Sequence, residues 1–327
     1  MLNKGDFAYN KSYSNGYPWG AIKRLNKYNM GVVSSLYICF KPNKKINSDY
    51  LEQYFETNKW YHQMSEVSVE GARNHGLLNI AVGDFFSTEH FIPTLDEQKK
   101  ISKFLSLLDK KIGLQSKKIE DLKLFTKKLL KIIINSHNCI ERTVDSVAEI
   151  YLGLTYTPQY VEKGVPFLSV KDISSGTINN SDIKYISQEE YDSCTSNSKP
   201  KKGDILFGRV GTLGCPIIIN DNIDRCIFVS LGFLRLKTND LSAEIIKYWM
   251  LSDDFKNQIN KKIAGSSQKN LNTGWLKKFV IRYPKDIKEQ EKYLKVANTL
   301  DKKLKLEMVY LEKLIKQKKG FMQNMFV

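Results

Sequence analysis

Residues 96–135 place apolar side chains at alternating steps of four and three, and this repeat constrains the fold more than any other feature. Eight of the ten positions are apolar, and the residues between them are rich in Lys, Asp and Glu. A sustained period of 3.5 residues predicts a long helix that packs along a seam against another helix. The seam positions are Ile101, Leu105, Leu108, Ile112, Gln115, Ile119, Leu122, Thr126, Leu129 and Ile133.

The same seam recurs 192 residues later in the chain. Its two polar interruptions also recur, because Gln115 matches Glu307 and Thr126 matches Lys318. The repeat therefore predicts that the partner helix belongs to the same chain. The second seam consists of Tyr293, Ala297, Leu300, Leu304, Glu307, Leu311, Leu314, Lys318, Phe321 and Met325.

The duplication extends beyond the helices. A Lys-Gly-Asp turn at residues 4–6 recurs at 202–204, and each is followed by a β-branched and aromatic run typical of strands. We align residues 32–40 with 228–236, and short amphipathic helices are predicted at Asp49–Met64 and Ser242–Ile259. Each copy then reaches a proline and a Glu-Gln pair that opens its long helix. A period near 190 residues indicates duplicated α+β domains, since solenoid units are far shorter.

The two copies differ at their start. The second copy runs some sixty residues from Cys139 before it reaches Lys202, whereas Met1 falls just before the first Lys-Gly-Asp turn. By this internal standard the first domain is expected to be partial. We therefore expect an exposed core in Met1–Ile92, unless the gap is covered, and weak folding of that segment.

The composition favours a polyanionic partner. The formal charge of +16 and the pI near 9.4 suggest nucleic acid first and an anionic membrane surface second. A Lys-rich proteome is the alternative explanation. The five cysteines lack CxxC spacing, which predicts reduced thiols and no zinc site. No apolar run approaches the roughly 20 residues of a membrane span, so the sequence predicts a cytoplasmic protein.

Enzymatic motifs are absent from the sequence. It contains no phosphate-binding G-x-x-x-x-G-K-[ST] loop, no G-x-G-x-x-G turn and no G-x-S-x-G elbow. Glu97 and Lys99, with Asp84 upstream, faintly resemble a nuclease site, but the second copy lacks the lysine. We interpret Glu97 as a favourable charge in the first turn of a helix. No catalytic residue and no metal ligand are predicted.

Cationic and amide side chains in Gly-rich or strand-like segments are candidates for DNA contacts. Lys and Arg suit phosphates, whereas Asn and Gln suit base edges. For any single residue the alternative is an ordinary solvated side chain. The candidates are Lys171, Lys202, Arg209, Gln268, Lys269 and Asn270 in the second copy, and Lys11, Arg73 and His75 in the first.

With these features in view, the chain resembles the specificity subunits of type I restriction–modification systems. Each copy has the proline, the Glu-Gln pair and the long helix in the same order, and the likeness covers essentially the whole chain. The residues that carry it are Pro93, Glu97, Gln98, Leu108, Asp109 and Ile112, then Pro284, Glu289, Gln290, Leu300, Asp301 and Leu304, with Gly164–Leu168.

The resemblance implies an α+β protein with two globular target-recognition domains separated by two long antiparallel coiled-coil helices. Its expected segments are 1–93 (a partial first domain), 94–136 (first helix), 139–286 (a complete second domain) and 287–327 (second helix). Such subunits are not catalytic. They read a bipartite target on double-stranded DNA and position two methyltransferase subunits and a restriction subunit. S-adenosylmethionine, ATP and Mg²⁺ would belong to those partners.

Three alternatives remain open at this point. The chain could be a truncated or silent recognition cassette, a coiled-coil scaffold or adaptor with incidental charge, or a nuclease fragment. A homodimer of two such chains is also compatible with the sequence, because equivalent helices could replace one another.

Overall fold

The computed structural model describes residues 1–68, 76–134, 138–174, 176–263 and 270–326. The chain divides into two compact units. Unit 1 comprises Met1–Glu120 with Lys305–Val327, and unit 2 comprises Asp121–Leu304. The predicted α+β class is confirmed, because both units combine sheets with helices and two helices of 40 and 39 residues are present. Among the described residues, no helix is long and apolar enough to cross a membrane.

The elements up to the first long helix come first in the chain. They are β1 (Leu2–Asn3), β2 (Phe7–Asn10), β3 (Ala21–Arg24), β4 (Met30–Gly31), β5 (Ile38–Phe40), α1 (Ser48–Phe55), α2 (Tyr61–Val67), α3 (Val82–Ser87) and α4 (Leu95–Ile134). In unit 1, β3, β2 and β5 form an antiparallel sheet in that order, and β1 pairs with β4.

The remaining elements follow α4. They are β6 (Cys139–Thr143), α5 (Val144–Val147), β7 (Ala148–Leu152), β8 (Tyr160–Val161), β9 (Val165–Leu168), α6 (Val170–Ile173), β10 (Lys184–Ile186), α7 (Gln188–Ser193), β11 (Ile205–Gly208), β12 (Gly214–Ile218), β13 (Cys226–Ile227), β14 (Leu231–Leu236), α8 (Ala243–Leu251), α9 (Asp253–Ile263), α10 (Thr273–Lys277), β15 (Val280–Pro284) and α11 (Ile287–Met325). Unit 2 has sheets of order β12-β11-β14-β7, β13-β9-β10-β8 and β15-β6.

The seam positions are turned away from solvent. All ten positions of the first seam are buried or half-buried, and so are nine of the second, with Phe321 39% exposed. In unit 1 the helices run antiparallel, since Phe104 packs on Phe321 whereas Gln115 meets Glu307. Gln115 donates its side-chain amide to the Glu307 carboxylate at 2.7 Å and to the Glu307 backbone carbonyl at 3.0 Å. The shared polar interruption is therefore a contact between the two copies of one position.

The Lys-Gly-Asp turn has the same geometry in both units. Gly5 and Gly203 adopt φ angles of 95° and 91°, which favour glycine because it has no Cβ. Asp6 accepts the Asn3 backbone N–H at 2.8 Å, and Asp204 accepts that of Lys201 at 2.7 Å. The duplicated letters thus encode one duplicated turn.

Unit 1 has a closed aromatic core, so the expected exposed core is wrong. Its buried residues are Phe7, Tyr9, Ile22, Ile38, Tyr50, Leu51, Tyr54, Trp60, Met64, Ile80, Phe85, Leu105 and Phe326. The reason is a change of polarity on one sheet face. Strand pairing aligns Leu206, Ile217 and Phe233 of unit 2 with Ala8, Lys23 and Cys39 of unit 1. The first set is buried under α6 and β9 residues, whereas the second set tolerates water. The reason for expecting weak folding of Met1–Ile92 falls with this finding.

Candidate nucleic-acid interface

The loop between β11 and β12 is shaped by glycine. A Cβ on Gly208 would lie 2.1 Å from the Thr212 carbonyl oxygen, so only glycine fits there without a backbone shift. Gly211 and Gly214 adopt φ angles of 73° and 83°, and Cys215 has a positive φ of 46°. Such angles hold the chain in a tight hairpin with Val210, Gly211 and Thr212 exposed at its tip.

Arg209 fastens this loop to its neighbours. Its guanidinium is buried, with Nη1 donating to the Val229 carbonyl at 3.1 Å and Nε to the Leu271 carbonyl at 3.3 Å. Burial also lowers the pKa of Arg209 from its ordinary value. The backbone carbonyl of Arg209 accepts the Leu271 N–H at 2.8 Å. Arg209 therefore holds three chain segments together, and these bonds occupy it within the protein.

Helix α6 is held beside the same loop. Ser169 and Asp172 form a reciprocal capping box at its start, and the Val170 N–H donates to Ser230 Oγ at 3.1 Å. This leaves Lys171 exposed, with its ammonium 2.9 Å from Asp182 Oδ2. The hydrogen bond with Asp182 raises the pKa of Lys171 and lowers that of Asp182. Solvent-exposed ion pairs are weak, so Lys171 can exchange this partner for a phosphate.

Asn270 and Lys256 complete the group. Asn270 is exposed and forms an antiparallel bridge with Val210. Lys256, on α9, is exposed and close enough to Cys215 to lower the pKa of that thiol, although burial raises it overall. Cys215 in turn lies beside Ser174 at the end of α6. We call this set the loop face: Lys171, Val210, Gly211, Thr212, Lys256 and Asn270.

Lys202 lies elsewhere. It precedes β11, whereas the loop face begins after the other end of that strand. Asp204, in the same turn, is buried and bound by Arg235 through Nε at 2.9 Å and Nη2 at 2.6 Å. The structure thus brings Lys171 and Asn270 together around Arg209 and leaves exposed Lys202 at the opposite end of the strand.

Lys11 repeats the arrangement of Arg209 in unit 1. Each cation follows the strand that begins at the Lys-Gly-Asp turn. The Lys11 ammonium donates to the Ile80 carbonyl at 3.0 Å, and its own carbonyl accepts the Leu78 N–H at 2.8 Å. The neighbouring bridge Ser12↔Leu77 likewise corresponds to Val210↔Asn270. A cation repeated at one register can serve the scaffold, and the duplication was the available sign of it.

Sequence reasoning missed a second repeated residue. Gln98 and Gln290 are 2% and 1% exposed, and each joins the start of a long helix to the loop before α1 or α8. Gln290 donates to Asp240 and Pro284 carbonyls at 2.7 and 2.9 Å, and Gln98 does the same with Lys45 and Pro93 at 3.3 and 2.9 Å. Four of the predicted candidates, Arg73, His75, Gln268 and Lys269, lie outside the described residues.

Comparisons with known proteins agree along nearly the whole chain. A family model described as type I restriction modification DNA specificity domain matches residues 6–124 and 141–317. The type I restriction enzyme MjaVIII specificity subunit of Methanocaldococcus jannaschii is 23% identical over 320 residues, covering 89% of this chain and 72% of that protein.

Solved structures share the fold. A crystal structure of the S subunit of a type I restriction-modification system from M. genitalium matches with a TM-score of 0.58 and 15% identity, covering 100% of this chain and 84% of that one. A chain from a structure concerned with complex assembly and conformational transition of the type I R-M system matches with a TM-score of 0.64 and 14% identity, covering 99% and 82%.

Proposed function

Since the chain belongs to the type I restriction modification DNA specificity family, we propose that the loop face of unit 2 is the surface with which it reads one part of a DNA target. Specificity subunits recognise DNA and are not catalytic, and this chain is such a subunit. The loop face supports the finer assignment because it combines two exposed lysines with an exposed amide on a loop held by Arg209 and Ser230. Lysines suit phosphates, and asparagine suits the edge of adenine.

Modification and restriction subunits are the proposed protein partners. The long helices carry apolar side chains that face away from the seam, which is a surface suited to a protein partner. In the unit 1 parts of these helices, Leu107, Leu114, Leu306 and Ile315 are 51–63% exposed. S-adenosylmethionine, ATP and Mg²⁺ would act in those partners.

The function is tested by mapping adenine methylation in a host genome after co-expression with a cognate modification subunit. We expect a bipartite methylated motif, because two duplicated units would each read a half-site. A palindromic motif would instead indicate two copies of one unit acting together. A soluble complex without sequence-specific methylation would contradict the proposal and favour a silent cassette.

The loop face is tested by substitutions in the intact subunit. We expect Lys171→Ala to weaken DNA binding and to reduce the salt slope of log affinity by about one, as loss of one phosphate contact does. Asn270→Ala should cost about 1–3 kcal/mol on the target site and much less on unrelated DNA. Fluorescence anisotropy with labelled duplexes at several salt concentrations measures both effects.

Lys202→Ala is the matched comparison, because Lys202 is also exposed and also a sequence-predicted contact. If Lys202→Ala alone reduces affinity and salt slope, DNA binds the opposite end of β11 and the loop face is the wrong surface. Equal effects of Lys171→Ala and Asn270→Ala on target and unrelated DNA would remove Asn270 from base recognition.

A further inference from the structure

The segment Glu89–Pro93 of unit 1 corresponds residue by residue to strand β15 of unit 2. Pro93 and Pro284 both accept the side-chain amide of the buried glutamine that follows, at 2.9 Å in each case. The Glu89 N–H donates to Gln63 Oε1 at 3.0 Å, and the Val280 N–H donates to Gln258 Oε1 at 2.9 Å. Two independent contacts therefore fix the register, which aligns Phe91 with Arg282.

The two segments differ in their pairing. Strand β15 pairs antiparallel with β6, with Tyr283 opposite Ile140 and Arg282 opposite Glu141. Within the described ranges no strand pairs with residues 88–94. Phe91 is 82% exposed there, far more than a phenylalanine in a completed sheet. An extended segment without a neighbouring strand can accept one from another polypeptide.

Two hollows flank this segment, and both are lined by Ile92 and Pro93. The first, of about 550 Å³, is also lined by Tyr50, Phe91, Ile101 and Met325. The second, of about 470 Å³, is lined by Lys44, Lys45, Ile46 and Leu95. The apolar side chains and the hollow beside them suit the inward-facing residues of an added strand, as Ile140 of β6 packs on the unit 2 core.

The charges beside the segment are opposite to those of unit 2. Around β15, Arg142 of β6 pairs with Asp240 at 3.4 Å, and Glu141 pairs with Arg282 at 3.5 Å. The residue equivalent to Asp240 in unit 1 is Lys45, since each donates its backbone carbonyl as acceptor to the repeated glutamine. Lys45 is exposed and has no ion pair with any described residue. A strand added here would meet phenylalanine where β6 meets arginine, and lysine where β6 meets aspartate.

We infer that Glu89–Pro93 is a docking site for an antiparallel β-strand of another polypeptide, one with an apolar residue opposite Phe91 and an acidic residue that reaches Lys45. The β6 sequence of this chain has Glu141 and Arg142 at those two positions, so a second copy of the chain supplies mismatched charges. The occupant is thus a strand of a different protein chain. This inference concerns protein binding and is independent of the DNA-binding proposal.

The test uses the full chain and labelled heptapeptides with the sequence of residues 138–144. One peptide is unchanged, one carries Glu141→Leu with Arg142→Glu, and a third has the composition of the second in scrambled order. Fluorescence anisotropy reports binding. We expect the doubly changed peptide to bind at least about tenfold more tightly than the unchanged and scrambled peptides, because it adds apolar burial and exchanges charge repulsion for attraction.

Charge reversal on the protein makes the test specific. Lys45→Glu should abolish the preference for the doubly changed peptide, whereas Lys27→Glu, another exposed lysine of unit 1, should leave it intact. Circular dichroism of both variants checks that each remains folded. The inference is overturned if the doubly changed peptide does not bind at about 1 mM, if the scrambled peptide binds equally well, or if the two lysine variants behave alike. Tighter binding of the unchanged peptide would identify a second copy of the chain as the occupant.

Discussion

Replacement of Gln290 by alanine is expected to lower the local free energy of unfolding in unit 2 by about 3–5 kcal/mol. The side-chain amide donates to the Asp240 and Pro284 carbonyls, and its carbonyl accepts the Ser242 N–H at 3.2 Å. At 1% exposure no water replaces these bonds, so three backbone groups lose their partner together. Ser242 also caps α8 through its side chain, so the start of that helix is affected as well.

Hydrogen exchange measured by mass spectrometry resolves this effect along the chain. We expect Gln290→Ala to speed exchange in β15 and at the starts of α8 and α11. Gln98→Ala should act in the same way on α1 and the start of α4, because its bonds are equivalent. Gln317→Ala is the control, since Gln317 is exposed on α11. Unchanged protection in β15 of Gln290→Ala would show that the repeated glutamine is dispensable.

Replacement of Gly208 by alanine is expected to destabilise unit 2 by about 3 kcal/mol and to displace the loop face. The new Cβ would meet the Thr212 carbonyl at 2.1 Å and Val170 Cγ2 at 3.0 Å. The carbonyl belongs to the backbone and cannot rotate away, so the hairpin or α6 must shift. Either movement separates Lys171 from Asn270, and we expect target DNA to bind at least about tenfold more weakly.

Gly211→Ala in the same loop is the control. Its positive φ adds a cost of about 1–2 kcal/mol, but no atom lies within 4 Å of the new Cβ. Urea unfolding monitored by hydrogen exchange and DNA anisotropy should rank the two variants in that order. If Gly208→Ala binds target DNA as well as the unchanged protein does, the tight hairpin does not position the loop face.

The repeat in the sequence predicted much of the fold but not its strand register. Alignment by residue type placed residues 32–40 on 228–236, which equates Ile38 with Leu234. Strand pairing instead equates Phe40 with Leu234, because Phe40 lies opposite Phe7 as Leu234 lies opposite Ile205. The shift is two residues, which preserves the side-chain face of the strand. Alternation of apolar residues cannot detect such a shift, since its period is also two.

The candidate site shows a similar division. Residue type nominated Lys11 and Arg209 as DNA contacts, and both cations bind backbone carbonyls inside their own unit. Residue type did not nominate Lys256, which only the packing of α9 against Cys215 brings to the loop face. Charge in a sequence states which residues can bind phosphate, but not which of them have donors already engaged by the protein.

From sequence alone follow the two long helices, the polar pair at their seam, the duplicated turn and the membership of a DNA-recognition family. These depend on local periodicity and on spacing, both of which a linear sequence records directly. Only the tertiary structure decided that unit 1 has a closed core, that Arg209 is a structural cation and that Glu89–Pro93 lacks a neighbouring strand. Each of those depends on which distant residues meet, because burial and hydrogen-bond satisfaction are properties of contacts and not of residues.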